Sequence, residues 1–354
     1  MLKFSPKKII AGIVSAVTLS VVTIYFLMRY YGLKTSMSEL LASIPYTYML
    51  LILIILFTAW LADACRLREI SGAFGTPIPL KLAVYATLAG NFSINVTPFF
   101  MGAGIVHVYV LKRKGLELST ATAAVAGGAM ISHVTQGVLA LISLFFTRGW
   151  IVSESIPASK PLALVILTYL LIILVVGSVF FFVDEPRRTL GFLFRIKRFE
   201  KLSNKFCEFH KGLNLLLRGD PRRLLRILFF NSIYLVCFYA VTPIILFGLG
   251  SPQPLGHVIA FQLLLFFTAS LAPTPGSSGA IELGAFSLFA LIVPLAVLGK
   301  FLVWWRLATF FSNIAFGALP FAYLALSKKW HTQRQPKTSE EHLLVGPTLQ
   351  GEHY

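Results

Sequence analysis

The sequence predicts an all-α polytopic membrane protein with about six full transmembrane helices and two broken or re-entrant helical hairpins that enter the membrane from opposite faces. The first observation behind this prediction is composition: 56% of the 354 residues are hydrophobic and only 13% are charged, a balance foreign to soluble domains. The second is that the apolar residues form continuous runs of about 20 residues, which indicates helices rather than barrel strands. The third is that prolines and glycines interrupt two of the longest runs.

The apolar runs justify the helices in chain order. The first run, residues 9–28, follows Lys3, Lys7 and Lys8. It is longer than the core of a signal peptide, so we interpret it as a retained first helix. Later runs of membrane-spanning length predict full helices at residues 46–64, 119–146, 161–183, 227–249 and 301–326. Two further apolar segments, residues 82–111 and 258–298, are interrupted.

The interruption in the second of these segments reads Leu271-Ala-Pro-Thr-Pro-Gly-Ser-Ser-Gly-Ala-Ile-Glu282. Proline removes a backbone donor and glycine admits conformations closed to other residues, so a helix does not continue through this stretch. In lipid, the freed backbone groups must be buried in protein or line a wet cavity. The alternative is a plain loop between two short helices. The residues predicted to break the two segments are Pro98, Gly102, Gly104, Pro273, Pro275, Gly276 and Gly279.

The two interruptions share a spacing pattern. Ser93-x-x-x-Thr97-Pro98-x-x-x-Gly102 in the first segment matches Ser270-x-x-x-Thr274-Pro275-x-x-x-Gly279 in the second. Paired breaks that enter from opposite faces are typical of inverted-repeat transporters, whose site lies between the two hairpins near the membrane midplane.

Positive charge predicts the orientation. If each interrupted segment returns to the face from which it enters, one face carries 25 of the 31 Lys and Arg residues, and twelve of these lie between residues 184 and 226. The positive-inside rule makes that face cytoplasmic and places both termini inside. We assign residues 1–327 to a single transmembrane domain that includes the basic cytoplasmic loop 184–226, and residues 328–354 to a disordered cytoplasmic tail.

The basic loop contains a predicted amphipathic helix. Between residues 192 and 216 apolar side chains recur every three or four positions, and basic side chains lie between them. Such a helix is expected in the cytoplasmic interface, where its basic face need only anchor it to lipid. The charge therefore predicts membrane lipids as partners, and anionic phospholipid at the cytoplasmic face in particular, rather than nucleic acid.

Glu282 is the acidic residue that lies deepest in the apolar sequence. A bare carboxylate at this depth is costly, so it must be protonated, paired or hydrated. Arg306 is the nearest candidate partner in the sequence, and a purely structural ion pair is the alternative. His107 and His133 lack a second ligand at metal-binding spacing, so neither a metal nor another cofactor is expected. Either histidine could equally be a packing residue.

The candidate substrate-binding residues share a polar side chain close to a break or inside an apolar run. Those near the breaks could instead satisfy the freed backbone groups. Asp63 and Arg66 are interpreted as an interfacial cap at the cytoplasmic end of their helix. The candidates are Asn91, Asn95, Thr97, His107, His133, Gln136, Thr274, Ser277, Ser278, Glu282 and Arg306.

Three motifs carry a resemblance to a known family. Pro273-Thr-Pro-Gly-Ser-Ser-Gly-Ala-Ile-Glu282 resembles the P-x-P-G-G-x-G-x-x-E signature of the lysylphosphatidylglycerol synthase transmembrane-region family, whose members are also called flippase-like. The stretch from Asn91 to Gly104 is similar to the first signature of that family, and Arg306 to its arginine near the start of the final helix. The resemblance covers about residues 5–327.

The sequence departs from the family pattern at charged positions. Gly104 and His107 stand where the first motif usually reads G-G-E followed by Arg, and Ser277 replaces a glycine. Ser132, His133 and Gln136 stand where the family has Glu, Arg and Asp. The resemblance implies the lipid-translocating half of the founding enzymes with a more neutral central site, and without their soluble synthase domain.

Three functions remain open from the sequence. The paired breaks favour a flippase or transporter that moves a phospholipid or lipid-linked headgroup across the cytoplasmic membrane of a bacterium or archaeon. An intramembrane transferase acting on a lipid-linked substrate is less expected, because paired carboxylates for metal or acid–base chemistry are missing. The third is a non-catalytic accessory subunit of an envelope-lipid pathway, with a second copy or a pathway protein as its partner.

Overall fold

The chain is built from helices throughout the part that the structure describes. This computed structural model describes residues 6–31, 36–152 and 200–326, with the isolated positions 168 and 171. Within these ranges the α-helices are α1 (Pro6–Tyr30), α2 (Met37–Ala42), α3 (Tyr46–Ala73), α4 (Leu80–Val96), α5 (Gly102–Arg113), α6 (Leu118–Val152), α7 (Glu200–Arg218), α8 (Pro221–Gly248), α9 (Leu255–Ala269), α10 (Ala280–Phe289), α11 (Leu295–Arg306) and α12 (Ser312–Leu326).

Five helices in the described ranges are long and apolar enough to cross a membrane. They are Ile9–Tyr30, Tyr46–Ala73, Leu118–Ser143, Pro221–Gly248 and Leu295–Leu326, the last formed by α11, a π turn at Leu307–Phe311, and α12. The predicted all-helical membrane class is confirmed. The predicted helix 161–183, apart from positions 168 and 171, and the tail 328–354 lie outside the described residues.

Several helix boundaries differ from the predictions. Helix α6 extends to Val152 instead of residue 146, and α8 begins at Pro221 instead of residue 227. Helix α3 continues from residue 64 to Ala73, because Arg66 forms ion-pair and hydrogen-bond contacts with neighbouring helices instead of marking the helix end. The second interrupted segment ends at Phe289 rather than residue 298. A short turn then leads to Pro294, which precedes the first residue of α11, Leu295, so the last spanning helix begins six residues earlier than predicted.

Both interrupted segments form helical hairpins with a short 3-10 turn at the break. The first hairpin consists of α4, a turn at Pro98–Phe100, and α5; the second consists of α9, a turn at Pro275–Ser277, and α10. Thr97 and Thr274, which precede the prolines, both have extended backbone. The sequence pattern shared by the two breaks therefore corresponds to a shared backbone conformation.

The bases of the two hairpins lie at opposite ends of one membrane-length helix. The 32 residues of Leu295–Leu326 extend over about 48 Å. That helix begins just after α10, the second arm of the second hairpin, ends. Near its other end, the ring of Tyr323 lies 5.3 Å from the ring of Tyr85, close to the start of α4. The hairpins consequently approach each other from opposite ends of the helix bundle.

The described part of the amphipathic segment packs against protein. Leu213 and Leu216 of α7 are buried, and a Cβ added to Gly127 of α6 would lie 2.6 Å from a methyl carbon of Leu216. This part of the apolar face therefore covers α6, and the interfacial position of the helix stays a prediction. Residues 192–199 of that prediction lie outside the described residues.

The sidedness of the membrane is a testable prediction. In a variant with the native cysteines replaced, we expect Ser38→Cys and Gln253→Cys to react with a membrane-impermeant maleimide in intact cells. We expect Lys114→Cys, at the base of the first hairpin, to react only after permeabilisation, because the positive-inside rule places that basic end in the cytoplasm. Labelling of Lys114→Cys in intact cells would contradict the assigned orientation.

Candidate functional site

A cavity of about 550 Å³ lies between the two hairpins and helices α3, α6 and α8. Its volume falls within the range of small-molecule binding sites. Much of its wall is aromatic or aliphatic, and this apolar part includes Trp60, Phe99, Phe100, Met101, Phe238 and Phe266. The cavity lies within a bundle of membrane-spanning helices, so the polar side chains in its wall are candidate binding groups.

The tips of the two hairpins are joined by backbone hydrogen bonds. The N–H of Phe99 donates to the carbonyl of Ala272 at 3.2 Å, and the N–H of Gly276 donates to the carbonyl of Thr97 at 3.4 Å. A Cβ on Gly276 would lie only 2.6 Å from the carbonyl oxygen of Asn95. Groups freed by one break are thus satisfied by the other, as burial in an apolar medium requires.

Side chains beside the breaks also satisfy local backbone groups. The hydroxyl of Thr97 donates to the carbonyl of Ser93 at 2.7 Å, and that of Thr274 to the carbonyl of Ser278 at 2.9 Å. The hydroxyl of Ser277 donates to Ala269 at 2.5 Å. None of Thr97, Thr274 and Ser277 is among the described residues that line the cavity. These hydrogen bonds match the alternative interpretation of the sequence, in which polar side chains near the breaks satisfy freed backbone groups.

Glu282 and Arg306 form a buried ion pair beside the hairpin tips. The Arg306 Nη2 atom lies 2.6 Å from Oε1 of Glu282, and the Glu282 side chain is fully buried. Arg306 also donates to Ser20 and Ser278, both at 3.2 Å, and its guanidinium carbon lies 4.2 Å from the centre of the Phe310 ring. This network connects α1, the second hairpin and the last spanning helix.

Only one member of this pair reaches the cavity. Arg306 contributes to the wall, whereas Glu282 and Ser278 lie behind it. This differs from the expectation that all three belong to the binding site. The reason is local: Glu282 occupies the first turn of α10 and accepts a hydrogen bond from the N–H of Gly279 at 2.7 Å, which directs the carboxylate toward the helix N-terminus.

A second ion pair lies in the cavity wall. Arg66 Nη2 lies 2.5 Å from Oδ1 of Asp63. Arg66 Nη1 donates to Ser132, to Oδ1 of Asn231 at 3.1 Å and to the carbonyl of Gly128 at 3.3 Å. The pair is therefore held among α3, α6 and α8 rather than capping a helix at the interface, which corrects the sequence interpretation.

The sequence did not indicate that Asp63 and Arg66 line the cavity, or that the buried Asn231 is a partner of Arg66. The signal for the first two was their i,i+3 spacing, which lets opposite charges pair on one helix face, within an apolar stretch that remains helical. Asn231 had no comparable signal, because its relevance depends on α8 packing against α3 and α6. The ring of Tyr234, also on α8, lies 5.8 Å from the Arg66 guanidinium carbon and lines the cavity.

Several other polar residues predicted for the site line the cavity. His133 and Gln136 lie on α6, and His107 on α5. Asn95 donates from Nδ2 to the carbonyl of Asn91 at 2.7 Å. The predicted site residues that line the cavity are Asn91, Asn95, His107, His133, Gln136 and Arg306, together with the glycines Gly104 and Gly276.

Comparison with known proteins identifies the family. A family model described as "Lysylphosphatidylglycerol synthase TM region" matches residues 9–317. The chain belongs to this family. A UPF0104 membrane protein of Archaeoglobus fulgidus is 26% identical to this chain over 312 residues, which cover 84% of this chain and 94% of that protein.

Family membership agrees with the architecture. The part of the chain that matches the lysylphosphatidylglycerol synthase transmembrane-region family contains both hairpins, both ion pairs and the cavity. The resemblance carried by the motif from Pro273 to Glu282 is thereby confirmed. The chain is a multi-pass integral membrane protein.

Proposed function

We propose that the protein moves lipid headgroups across the cytoplasmic membrane of a bacterium or archaeon, with the cavity as the binding site. The observation that carries this proposal is the composition of the cavity: polar side chains from α3, α5 and α6 share one space with aromatic walls inside a membrane bundle. A lipid has the same two parts, a polar headgroup and apolar chains. Sites between broken hairpins near the midplane are typical of transporters.

The backbone at the first hairpin tip supports a moving part. Phe99 and Phe100 have positive φ values of 56° and 52°, a conformation that costs about 1–2 kcal/mol per non-glycine residue. At the equivalent places the second tip has Gly276 and Ser277. Strained backbone of this kind concentrates at ligand clamps and switches. We propose that the Phe99–Phe100 tip changes conformation as a headgroup passes.

Anionic phospholipid at the cytoplasmic face is the proposed surface partner. The end of α5 carries Lys112 and Arg113 in its last turn, followed by Lys114. Basic residues at a membrane surface are attracted to anionic lipid by about 1 kcal/mol each. This contact orients the protein in the bilayer and is separate from the lipid that enters the cavity.

Filling the cavity is the direct test. Gly104 lines the cavity, and a Cβ added there would meet only a Val125 methyl group at 3.8 Å. We expect Gly104→Phe to fold normally and to lose most of its translocation activity, because the ring occupies the space that the headgroup needs. The measurement is the flip rate of fluorophore-labelled phosphatidylethanolamine in vesicles that contain the purified protein.

Two variants serve as controls. Gly104→Ala fits the same position and should keep the wild-type flip rate. Val138→Phe introduces the same aromatic ring at a half-exposed position of α6 that does not line the cavity, and it should also keep the wild-type flip rate. Wild-type activity in Gly104→Phe would refute the cavity as the path. Purified wild-type protein that flips no labelled lipid would refute transport and favour the accessory-subunit function.

A further inference from the structure

We infer that the cavity selects a lipid whose headgroup has no net charge and carries both hydrogen-bond donors and acceptors. This inference narrows the substrate class and rests on the proposed lipid function. It starts from the charges in the cavity wall. Among the described residues that line the cavity, the groups with a formal charge at neutral pH are Asp63, Arg66 and Arg306, with histidines counted as neutral.

Each of these charges already has a partner of opposite sign. Asp63 and Arg66 neutralise each other at 2.5 Å. Arg306 is neutralised by Glu282, which lies 2.6 Å away behind the wall. An anionic or cationic headgroup in this cavity would therefore meet no unpaired charge of opposite sign among the described residues. The loss of its hydration would be poorly offset, whereas a neutral polar headgroup loses much less hydration free energy.

The polar wall nevertheless retains unused hydrogen-bonding capacity. Nε of Arg66 and Nε2 of His107, two residues of the wall, are buried and have no hydrogen-bond partner among the described residues. Nε of Arg66 can only donate, so it is complementary to phosphate or hydroxyl oxygens. The Asp63 carboxylate has lone pairs beyond the contact with Arg66 and can accept from an ammonium or a hydroxyl group.

This subsite is held in place by three helices. Arg66 Nη1 contacts Gly128, Ser132 and Asn231, and the Ser132 hydroxyl also donates to Asn231 Oδ1 at 2.6 Å. The side chains of Arg66 and Asp63 keep 13% and 9% exposure, respectively, on the cavity wall. A zwitterionic phospholipid and an uncharged glycolipid both offer the neutral, donor-and-acceptor chemistry that fits this arrangement.

Competitive binding tests the inference directly. Detergent-purified protein would be mixed with equal amounts of phosphatidylethanolamine, glucosyl diacylglycerol, phosphatidylglycerol and lysylphosphatidylglycerol that carry identical acyl chains, and bound lipid would be counted by native mass spectrometry. We expect the bound amount of one or both neutral lipids to exceed that of the charged lipids by roughly tenfold. The ratio of bound phosphatidylethanolamine to bound glucosyl diacylglycerol then distinguishes a phospholipid headgroup from a glycolipid headgroup. Tightest binding of a charged lipid, or equal binding of all four, would overturn the inference.

Charge variants test whether the cavity wall sets this preference. Gln136→Glu adds a negative charge to the wall with almost no change of shape and leaves both ion pairs intact, so we expect a shift toward lysylphosphatidylglycerol of roughly tenfold. Asp63→Asn leaves Arg66 uncompensated, so we expect a shift toward phosphatidylglycerol. The double variant Asp63→Asn/Arg66→Gln restores neutrality and should restore the wild-type order.

Glu69→Gln is the matched control for Asp63→Asn. It removes one carboxylate from the same helix, but Glu69 pairs with Arg226 at 3.0 Å and does not line the cavity. We expect no change in lipid preference. An equal shift in Glu69→Gln and Asp63→Asn would assign selectivity to surface charge and refute the inference.

The vesicle flip assay separates this inference from the proposed transport. A neutral-lipid preference in binding without any flipping would refute transport and leave the headgroup class standing. Equal flip rates for phosphatidylglycerol and for the neutral lipids would refute the headgroup class and leave transport standing. Absence of specific binding by every lipid would refute both.

Discussion

Glu282→Gln should lower the free energy of unfolding by about 3–5 kcal/mol, because it leaves the Arg306 cation buried without a counter-charge. The glutamine keeps the volume of the side chain and can still accept the hydrogen bond from the N–H of Gly279, so the variant isolates the loss of charge. The carboxylate lies behind the cavity. The principal effect is therefore expected on stability, measured by denaturant titration of the protein in mixed micelles.

Single and double variants separate the stability contributed by the ion pair from that contributed by each side chain. Arg306→Met alone should be destabilising to a similar extent, whereas Glu282→Leu/Arg306→Met should recover much of the loss, because an apolar pair can replace a buried ion pair. Glu39→Gln is the matched control. Glu39 occupies the same capping position in α2, but that cap is exposed, so its loss should cost no more than about 1 kcal/mol. Wild-type stability of Glu282→Gln would contradict the proposed role of the pair.

Gly276→Ala is the second substitution with a large expected effect. The backbone at Gly276 has a φ of 59°, and an added Cβ would lie 2.6 Å from the carbonyl oxygen of Asn95. Positive φ costs about 1–2 kcal/mol for alanine, and the clash adds about 1–3 kcal/mol because backbone atoms must move. We expect a loss of more than about 2 kcal/mol, together with loss of lipid flipping, as the hairpin tips separate.

Gly250→Ala distinguishes strain from collision. Gly250 has a similar φ of 68°, and an added Cβ would meet no atom within 4 Å. This substitution should therefore show the conformational cost of about 1–2 kcal/mol alone, without loss of flipping. If both variants lost the same stability and both retained activity, direct contact between the hairpin tips would not be needed for function.

The sequence predicted the features that depend on local chemistry. Pro98 and Pro275 lack an N–H group and disfavour a helical conformation of the residue before them, so local chemistry favours a break at each. The matching Thr-Pro pattern predicted two similar breaks, and both are 3-10 turns that follow an extended threonine. Hydrophobicity likewise predicted the all-helical class, because a backbone in lipid must satisfy its hydrogen bonds internally.

Only the tertiary structure decided which polar groups share the cavity. Asp63 and Arg66 belong to the cavity because α6 and α8 supply Ser132 and Asn231 as partners for the arginine, and no local pattern encodes that packing. Glu282 is turned away by its contacts with Gly279 and Arg306. A helix break is a property of neighbouring residues in the chain, whereas the direction of a buried charge is determined by partners that are distant in sequence.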